Sequence, residues 1–121
     1  MEGATLGLAY GLRRFSSLGL EPSEIRLTGG GSKSATWRQI SADAFGVPVV
    51  ALATAEGAGL GGAIQAAFAD GQGSYGSLCE RLVALDESTR CLPDASRTEG
   101  YREKLDRQMN LTSILKESGF L

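Results

Sequence analysis

The run 29–31 consists of three consecutive glycines, which join a short apolar stretch at residues 25–27 to a helical pattern that begins near Ser34. Glycine permits the backbone conformations that so tight a strand-to-helix turn requires. Such a turn also leaves bare backbone N–H groups at a helix start, where the helix dipole favours an anion such as phosphate. The turn either binds an anionic ligand or is an ordinary connection, in which Gly31 takes a left-handed conformation and Ser32 or Ser34 caps the helix.

The residues around this turn do not complete a common phosphate-binding motif. A P-loop needs glycine directly before its Lys-Ser/Thr pair, and here Ser32 precedes Lys33. A dinucleotide fingerprint that starts at Gly29 also fails, because Ser34 stands where the third glycine belongs. From its residues alone the glycine run therefore leaves both possibilities open, an anion site and an ordinary connection.

A second glycine cluster, residues 57–62, contains a formal G-x-G-x-x-G between a predicted strand and a predicted helix. As a dinucleotide site it is poor, since Glu56 places a negative charge beside the expected pyrophosphate and no strand with a ribose-binding acid follows. Glycine in a helix costs roughly 0.5–1 kcal/mol relative to alanine. We therefore expect the glycines of this cluster to allow close packing against another element, with Glu56 near a ligand cleft.

The composition excludes several classes of function. With 12 basic and 14 acidic residues the net charge is −2, so no positive field attracts nucleic acid or a membrane surface. The absence of histidine excludes Ser-His-Asp and Cys-His nucleophilic sites and the usual zinc hydrolase sites. Cys79 and Cys91 lack metal-ligand spacing, and we interpret them as free thiols, one of them buried, in a reducing cytoplasm. We predict no metal site in the chain and no membrane span.

Hydrophobic periodicity predicts an α/β fold. The pattern indicates helices over 2–18, 34–45, 57–69, 74–84 and 96–116, and strands over 24–28 and 48–53. Strand, helix and strand with short links form a βαβ unit, so we expect the two strands to pair in parallel. Residues 86–94 are predicted to be an irregular connection. The apolar side of the first helix and an uncovered sheet edge predict self-association, for example as a homodimer.

The segment 25–49 resembles the adenine-nucleotide segment of the FGGY-family carbohydrate kinases, and among them most closely the xylulokinases. The helix that opens with Glu2-Gly3, the helix over 56–67 and, more weakly, the helix over 101–111 also resemble parts of this family. The resemblance implies part of a ribonuclease-H-like lobe of the actin-like ATPase type, with short parallel strands, flanking helices and a C-terminal helix. It implies that residues 1–121 are a carboxy-terminal fragment of a longer cytoplasmic pentulose kinase.

Within this fragment the resemblance implies a core over about 1–70 and a helical extension over about 71–121. It also implies which residues face the nucleotide. Gly29 and Gly30 would lie beside the phosphates and ribose of ATP, and Gly31 would complete the turn. Ser34 would lie by the adenine, and Lys33 is a weaker candidate for a phosphate contact. The intact kinase would use ATP with Mg²⁺ and would bind its sugar mainly through the part of the family that precedes this portion.

The sequence offers no convincing catalytic residue. In the family the catalytic aspartate and the phosphate hairpins also precede the portion represented here. Asp43 and Asp70 are expected to be solvated carboxylates on a helix surface and at a helix end. Two other hypotheses stay open: a free-standing nucleotide-binding or interaction module without catalysis and, less favoured, part of a dinucleotide-dependent oxidoreductase built on residues 57–62.

Overall fold

The computed structural model describes residues 1–121 as five α-helices and a three-stranded sheet. In chain order the elements are α1 Glu2–Ser16, β1 Ile25–Leu27, α2 Ala35–Phe45, β2 Val49–Leu52, α3 Gly57–Ala69, α4 Tyr75–Leu82, β3 Leu85–Cys91 and α5 Ala95–Glu117. A short 3-10 helix, Gly30–Lys33, lies between β1 and α2. The predicted mixed α/β class is confirmed, and the predicted helices agree closely with the observed ones.

The sheet has the order β1-β2-β3. β1 and β2 pair in parallel, with Ile25 opposite Val49, as the βαβ pattern predicts. β3 pairs antiparallel with β2, so the expectation of an irregular connection over 86–94 is wrong. The pairing of β2 with β3 shifts register once, and there the Ala51 N–H donates to the Thr89 hydroxyl at 2.9 Å. A mostly polar segment is therefore made a strand by its partner, because its own sequence carries no strand pattern.

The buried core is small and lies where β2 packs against α2. Val49 and Val50 of β2 and Ala42 of α2 are fully buried. Beyond β2 the chain leaves the sheet as a helical pair, α3 and α4, in which only Ile64 and Leu78 are buried. These two helices pack mainly on each other, and the rings of Phe68 and Tyr75 stack between them with centroids 4.0 Å apart.

One side of α1 packs on α2 and α5, and the other side is exposed. The packed side carries small residues, and Thr5 and Ala9 are buried there. Leu8 and Phe15 lie on the exposed side, with 58% and 54% of their surface accessible. Self-association through this side, or through the edge of β1 that pairs with no other strand, stays a prediction.

Asp43 of α2 is buried, with 2% of its surface accessible, so the expectation of a solvated carboxylate is wrong. Its Oδ1 accepts hydrogen bonds from the Asp94 backbone N–H at 2.9 Å and from Gln39 Nε2 at 2.8 Å. Its Oδ2 lies 3.4 Å from the Arg97 guanidinium. Asp94 in turn caps α5. Its carboxylate accepts hydrogen bonds from the Ser96 hydroxyl and the Arg97 N–H, and these bonds lower the pKa of the Asp94 carboxyl. Asp43 therefore fixes the start of α5, where the helix dipole favours negative charge.

The second half of the chain departs from the sequence predictions in two further ways. The portion 71–121 is not purely helical, since β3 lies within it. Both cysteines are free thiols as expected, but neither is buried: Cys79 is exposed and Cys91 is half-buried. None of the helices is both long and apolar enough to cross a membrane.

Candidate nucleotide site

The two glycine clusters lie at the same edge of the sheet. Because β1 and β2 are parallel, their carboxyl ends meet, and the loops that follow them become neighbours. The Gly29 N–H donates to the Ala55 carbonyl at 3.0 Å, and the Thr28 hydroxyl donates to the same oxygen at 3.2 Å. Open α/β sheets bind ligands outside the carboxyl ends of their strands. The fold thus joins, at the position expected of a binding site, two motifs that the sequence presents separately.

Gly29 is the residue of the turn that adopts an unusual backbone conformation. Its φ is +84° and its ψ is −172°, a combination found almost only in glycine. Gly31 has no positive φ, so the left-handed Gly31 that belongs to the ordinary-connection alternative is wrong. Any of three adjacent glycines can adopt a positive φ, and the sequence therefore could not identify which one does.

Gly31 must be glycine for a different reason, which is the position of the Trp37 ring. A Cβ on Gly31 would lie 2.6 Å from ring carbon Cζ3 and 2.8 Å from Cε3 of Trp37. The ring cannot move freely, because its Nε1 donates a hydrogen bond to the Thr5 hydroxyl at 2.9 Å and Thr5 is fully buried. A side chain at position 31 would therefore displace either the turn or the ring.

Gly30 has neither of these constraints. Its φ is not positive, and no atom lies within 4 Å of the place that a Cβ would take. The N–H groups of Gly30 and Gly31 come before the first hydrogen bond of the 3-10 helix, from Ser32 N to the Gly29 carbonyl at 3.2 Å. Leading N–H groups of this kind have no partner within their helix. Gly30 thus places open space beside two backbone donors, an arrangement suited to an anion.

Side chains behind the turn fix its shape. Ser32 is buried, and its hydroxyl donates to the Gly29 carbonyl at 2.7 Å. Arg38 of α2 donates to the Ser32 carbonyl at 2.7 Å and to the Thr89 carbonyl of β3 at 3.1 Å. No sequence pattern indicates this role for Arg38, because the second carbonyl belongs to the strand that the pattern missed.

Ser34 and Lys33 lie where the turn enters α2. The Ser34 hydroxyl accepts the Trp37 N–H at 3.2 Å, which confirms that Ser34 can cap the helix. The exposed Lys33 forms no ion pair with any carboxylate. The first turn of α2 contains no acidic residue, so no negative charge there opposes an anion at the helix start. Their contacts with adenine and phosphate stay predictions.

The second glycine cluster has only one close contact. A Cβ on Gly57 would lie 2.7 Å from the Thr28 hydroxyl oxygen, across the junction of the two loops. Gly59 meets nothing beyond its own helical turn, and Gly61 and Gly62 have no atom within 4 Å of a Cβ position. The expectation of close packing is therefore met at Gly57 and is wrong for the other three glycines in this chain. The strand that follows, β3, is antiparallel, so the dinucleotide motif also lacks its parallel βαβ context.

The carboxylates singled out in the sequence do not form a catalytic or metal site. Asp43 is used at the start of α5, and Asp70 is exposed at the end of α3, as expected, beside Gln72 Nε2 at 2.8 Å. Glu56, at the start of α3, is exposed. No three His, Cys, Asp or Glu side chains lie close enough together to hold a metal ion.

The groups with shifted pKa values lie in structural contacts. Arg90 of β3 binds Glu87 at 2.7 Å and Glu24 at 2.6 Å, and these hydrogen bonds lower the pKa of both carboxyl groups. Burial, followed by the hydrogen bond to Glu2, raises the pKa of Tyr101 to about 12. The first set ties β3 to the residue before β1, and the second ties α5 to α1.

Comparison with known proteins identifies the family. A sequence model of the FGGY family of carbohydrate kinases, C-terminal domain, matches residues 1–69, which is more than half of the chain. This chain belongs to the FGGY family of carbohydrate kinases. The FGGY chain is 45% identical over 115 residues to the xylulose kinase of Haemophilus influenzae, covering 95% of this chain and 23% of that enzyme.

Two further relatives place this identification in context. The autoinducer-2 kinase of Escherichia coli strain K12 is 34% identical over 110 residues, covering 88% of this FGGY chain and 20% of that enzyme. The solved xylulose kinase from Rhodospirillum rubrum matches with a TM-score of 0.73 and 23% identity, over 96% of this chain and 23% of that one. The likeness confirms the predicted α/β class, consistent with an actin-like ATPase fold. The chain spans less than a quarter of the length of these relatives.

Proposed function

We propose that this chain forms the nucleotide side of the cleft in a longer FGGY kinase that transfers a phosphoryl group from ATP to xylulose. The observation that carries the proposal is the surroundings of Gly30. Its backbone has ordinary dihedral angles and its side-chain position is open, so nothing within the chain requires glycine there. Close approach of a ligand to the backbone does require it. The two leading N–H groups and the start of α2 favour a phosphate as that ligand.

The residues of the turn have distinct parts in this proposal. Gly29 and Gly30 lie beside the phosphates and ribose of the nucleotide, and Gly31 completes the turn. Ser34 lies by the adenine, and Lys33, whose exposed charge is not paired, neutralises phosphate charge. Phosphoryl transfer depends mainly on positioning and charge neutralisation, and these are the contributions that a backbone turn and a lysine can make.

The rest of the reaction requires groups from the remainder of the kinase. No three metal-ligating side chains lie together in this chain, and its buried carboxylate, Asp43, is used at the start of α5. We propose that the general base, the Mg²⁺ ligands and most sugar contacts come from the larger portion of the enzyme that the relatives possess and this chain does not cover. The free thiols of Cys79 and Cys91 support a cytoplasmic location.

The nucleotide assignment is tested by Gly30→Val in the full-length kinase. A branched side chain over the two N–H groups should raise the KM for ATP by at least roughly tenfold, a loss of about 1.4 kcal/mol or more. Gly59→Ala is the matched control, since it adds a side chain to the other cluster and should leave the KM for ATP unchanged. A normal KM for ATP in Gly30→Val, or a raised one in folded Gly59→Ala, would show that the nucleotide is not on the first cluster.

The sugar is tested separately by comparing kcat/KM for xylulose and for autoinducer-2 in the same full-length enzyme. The identity to the Haemophilus influenzae xylulose kinase, 45% against 34% for the autoinducer-2 kinase, favours xylulose. A higher kcat/KM for autoinducer-2 would overturn the sugar assignment and leave the nucleotide assignment standing.

A further inference from the structure

We propose that Trp37 is a positioning residue, which holds the glycine turn in its nucleotide-binding shape and connects that shape to α1. This inference rests on the proposed function, because it concerns how the turn is held for ATP. Trp37 contacts the turn in two ways: its backbone N–H is bound by the Ser34 hydroxyl at 3.2 Å, and its ring lies against Gly31.

The turn needs such a support at Gly31, because the Ser32 hydroxyl and Arg38 hold only the carbonyl groups of Gly29 and Ser32. Three adjacent glycines populate many backbone conformations, and most of them direct the N–H groups of Gly30 and Gly31 elsewhere. The start of the turn is fixed by the hydrogen bond from Gly29 N to the Ala55 carbonyl, 3.0 Å long. Its end is fixed by the Ser34 cap. Between these points the Trp37 ring occupies one side of Gly31 and excludes conformations that move the backbone toward it.

The ring is itself anchored to another helix. Trp37 Nε1 donates to the Thr5 hydroxyl at 2.9 Å, and this hydroxyl donates to the Met1 carbonyl at 3.2 Å. Thr5 is fully buried, so water cannot replace the missing partner if either bond is lost. The path Thr5–Trp37–Gly31 therefore makes the direction of the phosphate-binding N–H groups depend on the placement of α1.

The first test removes the anchor and keeps the ring. Thr5→Val in the full-length kinase preserves the side-chain shape and deletes the acceptor for Trp37 Nε1. We expect the KM for ATP to rise about threefold, with kcat and the KM for the sugar unchanged. This is the effect expected when Trp37 holds the turn less firmly but still lies against Gly31. Thr112→Val is the matched control. It makes the same change at a hydroxyl of α5 that donates to the Gln108 carbonyl of its own helix at 2.9 Å, and it should leave the KM for ATP unchanged.

The second test is a double-mutant cycle on the contact between Trp37 and Gly31. Gly31→Ala and Trp37→Leu should each raise the KM for ATP by about tenfold, since both disturb the same packed pair. Leucine frees the space that the added methyl group at position 31 needs, so the double variant should be no worse than the poorer single variant. If Trp37→Leu does not fold, Trp37→Phe keeps an aromatic ring without the indole N–H and should match Thr5→Val.

The outcomes separate this inference from the proposed function. The inference would be overturned if the KM effects of the two single variants multiplied in the double variant. It would also be overturned if Thr112→Val raised the KM for ATP as much as Thr5→Val does, since Trp37 would then contribute only general helix packing. An unchanged KM in the Trp37 variants together with a raised KM in Gly30→Val would overturn it as well. If Gly30→Val itself binds ATP normally, the proposed function fails and the inference fails with it.

Discussion

In the run 29–31 each glycine has its own surroundings, whereas in α3 three of the four glycines have almost none. Gly29 has a positive φ, Gly31 lies under an aromatic ring, and Gly30 borders open space beside backbone donors. In α3 only Gly57 touches another element, through Thr28. Two clusters that look equally rich in glycine therefore differ in what glycine does. In the first it shapes and opens a surface, and in the second most of it only weakens a helix.

The difference also shows how to weigh glycine motifs in a sequence. The second cluster fits a formal dinucleotide fingerprint, and the first fits no common fingerprint. The structure gives both clusters leading backbone N–H groups, at Gly30 and Gly31 in the first and at residues 57–59 of α3 in the second. The difference is that the carboxylate of Glu56 stands at the start of α3, whereas the first turn of α2 contains no acidic residue. A glycine motif in the sequence shows only where glycines stand. Whether a ligand can approach the backbone there depends on whether another atom of the chain already occupies the space beside the glycine.

The largest expected effect concerns what both clusters lack. Neither supplies a general base, and a positioned base contributes about 10²–10⁴-fold to rate. We expect the isolated chain to phosphorylate xylulose at less than about 10⁻⁴ of a typical kinase turnover of roughly 1–100 s⁻¹. ADP release coupled to NADH oxidation measures this. Turnover within the normal range would mean that the chain contains a complete active site.

The second prediction sharpens the contrast within the first cluster. Gly29→Ala should lower the free energy of unfolding of the chain by about 1–3 kcal/mol, because alanine is strained at this positive φ. Gly30→Ala, one residue away with open space and ordinary dihedral angles, should change it by no more than about 0.5 kcal/mol. Urea denaturation gives both values. Similar losses in the two variants would contradict the separate causes assigned to these glycines.

The smallest effects are expected in α3, where two glycines of the first turn should respond differently to alanine. Gly59→Ala should stabilise the chain by roughly 0.5–1 kcal/mol, because alanine is favoured in a helix and no atom opposes it. Gly57→Ala should lack this gain, since its Cβ would meet the Thr28 side chain. Adding Thr28→Ala, which removes the two closest atoms and leaves the Cβ of residue 28 at 3.2 Å, should restore part of the gain. A destabilising Gly59→Ala would show that the helix is packed more closely than this structure has it.

The parts of the fold that were predictable depend on local patterns. The βαβ unit, the bounds of α3 and the Ser34 cap follow from periodicity and capping chemistry. β3 was missed because a polar segment becomes a strand only by pairing with β2, some thirty-five residues earlier in the chain. The burial of Asp43 was not predictable for a similar reason, since the N–H group that donates to its carboxylate belongs to the distant Asp94. The candidate site was predictable as a glycine turn, but its supports, Trp37 and Arg38, depend on contacts that no spacing records.

The helical pair formed by α3 and α4 has a consequence for how the molecule opens. The two helices bury few side chains and pack mainly on each other. The pair is connected to the sheet only near its ends. At one end Gly57 lies against Thr28, and at the other the Ala53 N–H donates to the Ala84 carbonyl at 2.9 Å. Such a unit can unfold while the strands stay paired. Its amide protons should therefore exchange with solvent through local opening, faster than those of β2. A nucleotide on the glycine turn reaches this unit near the start of α3, through Thr28 and through the Gly29 N–H that donates to the Ala55 carbonyl. Its protection against exchange should therefore extend to the first turn of α3 and end there.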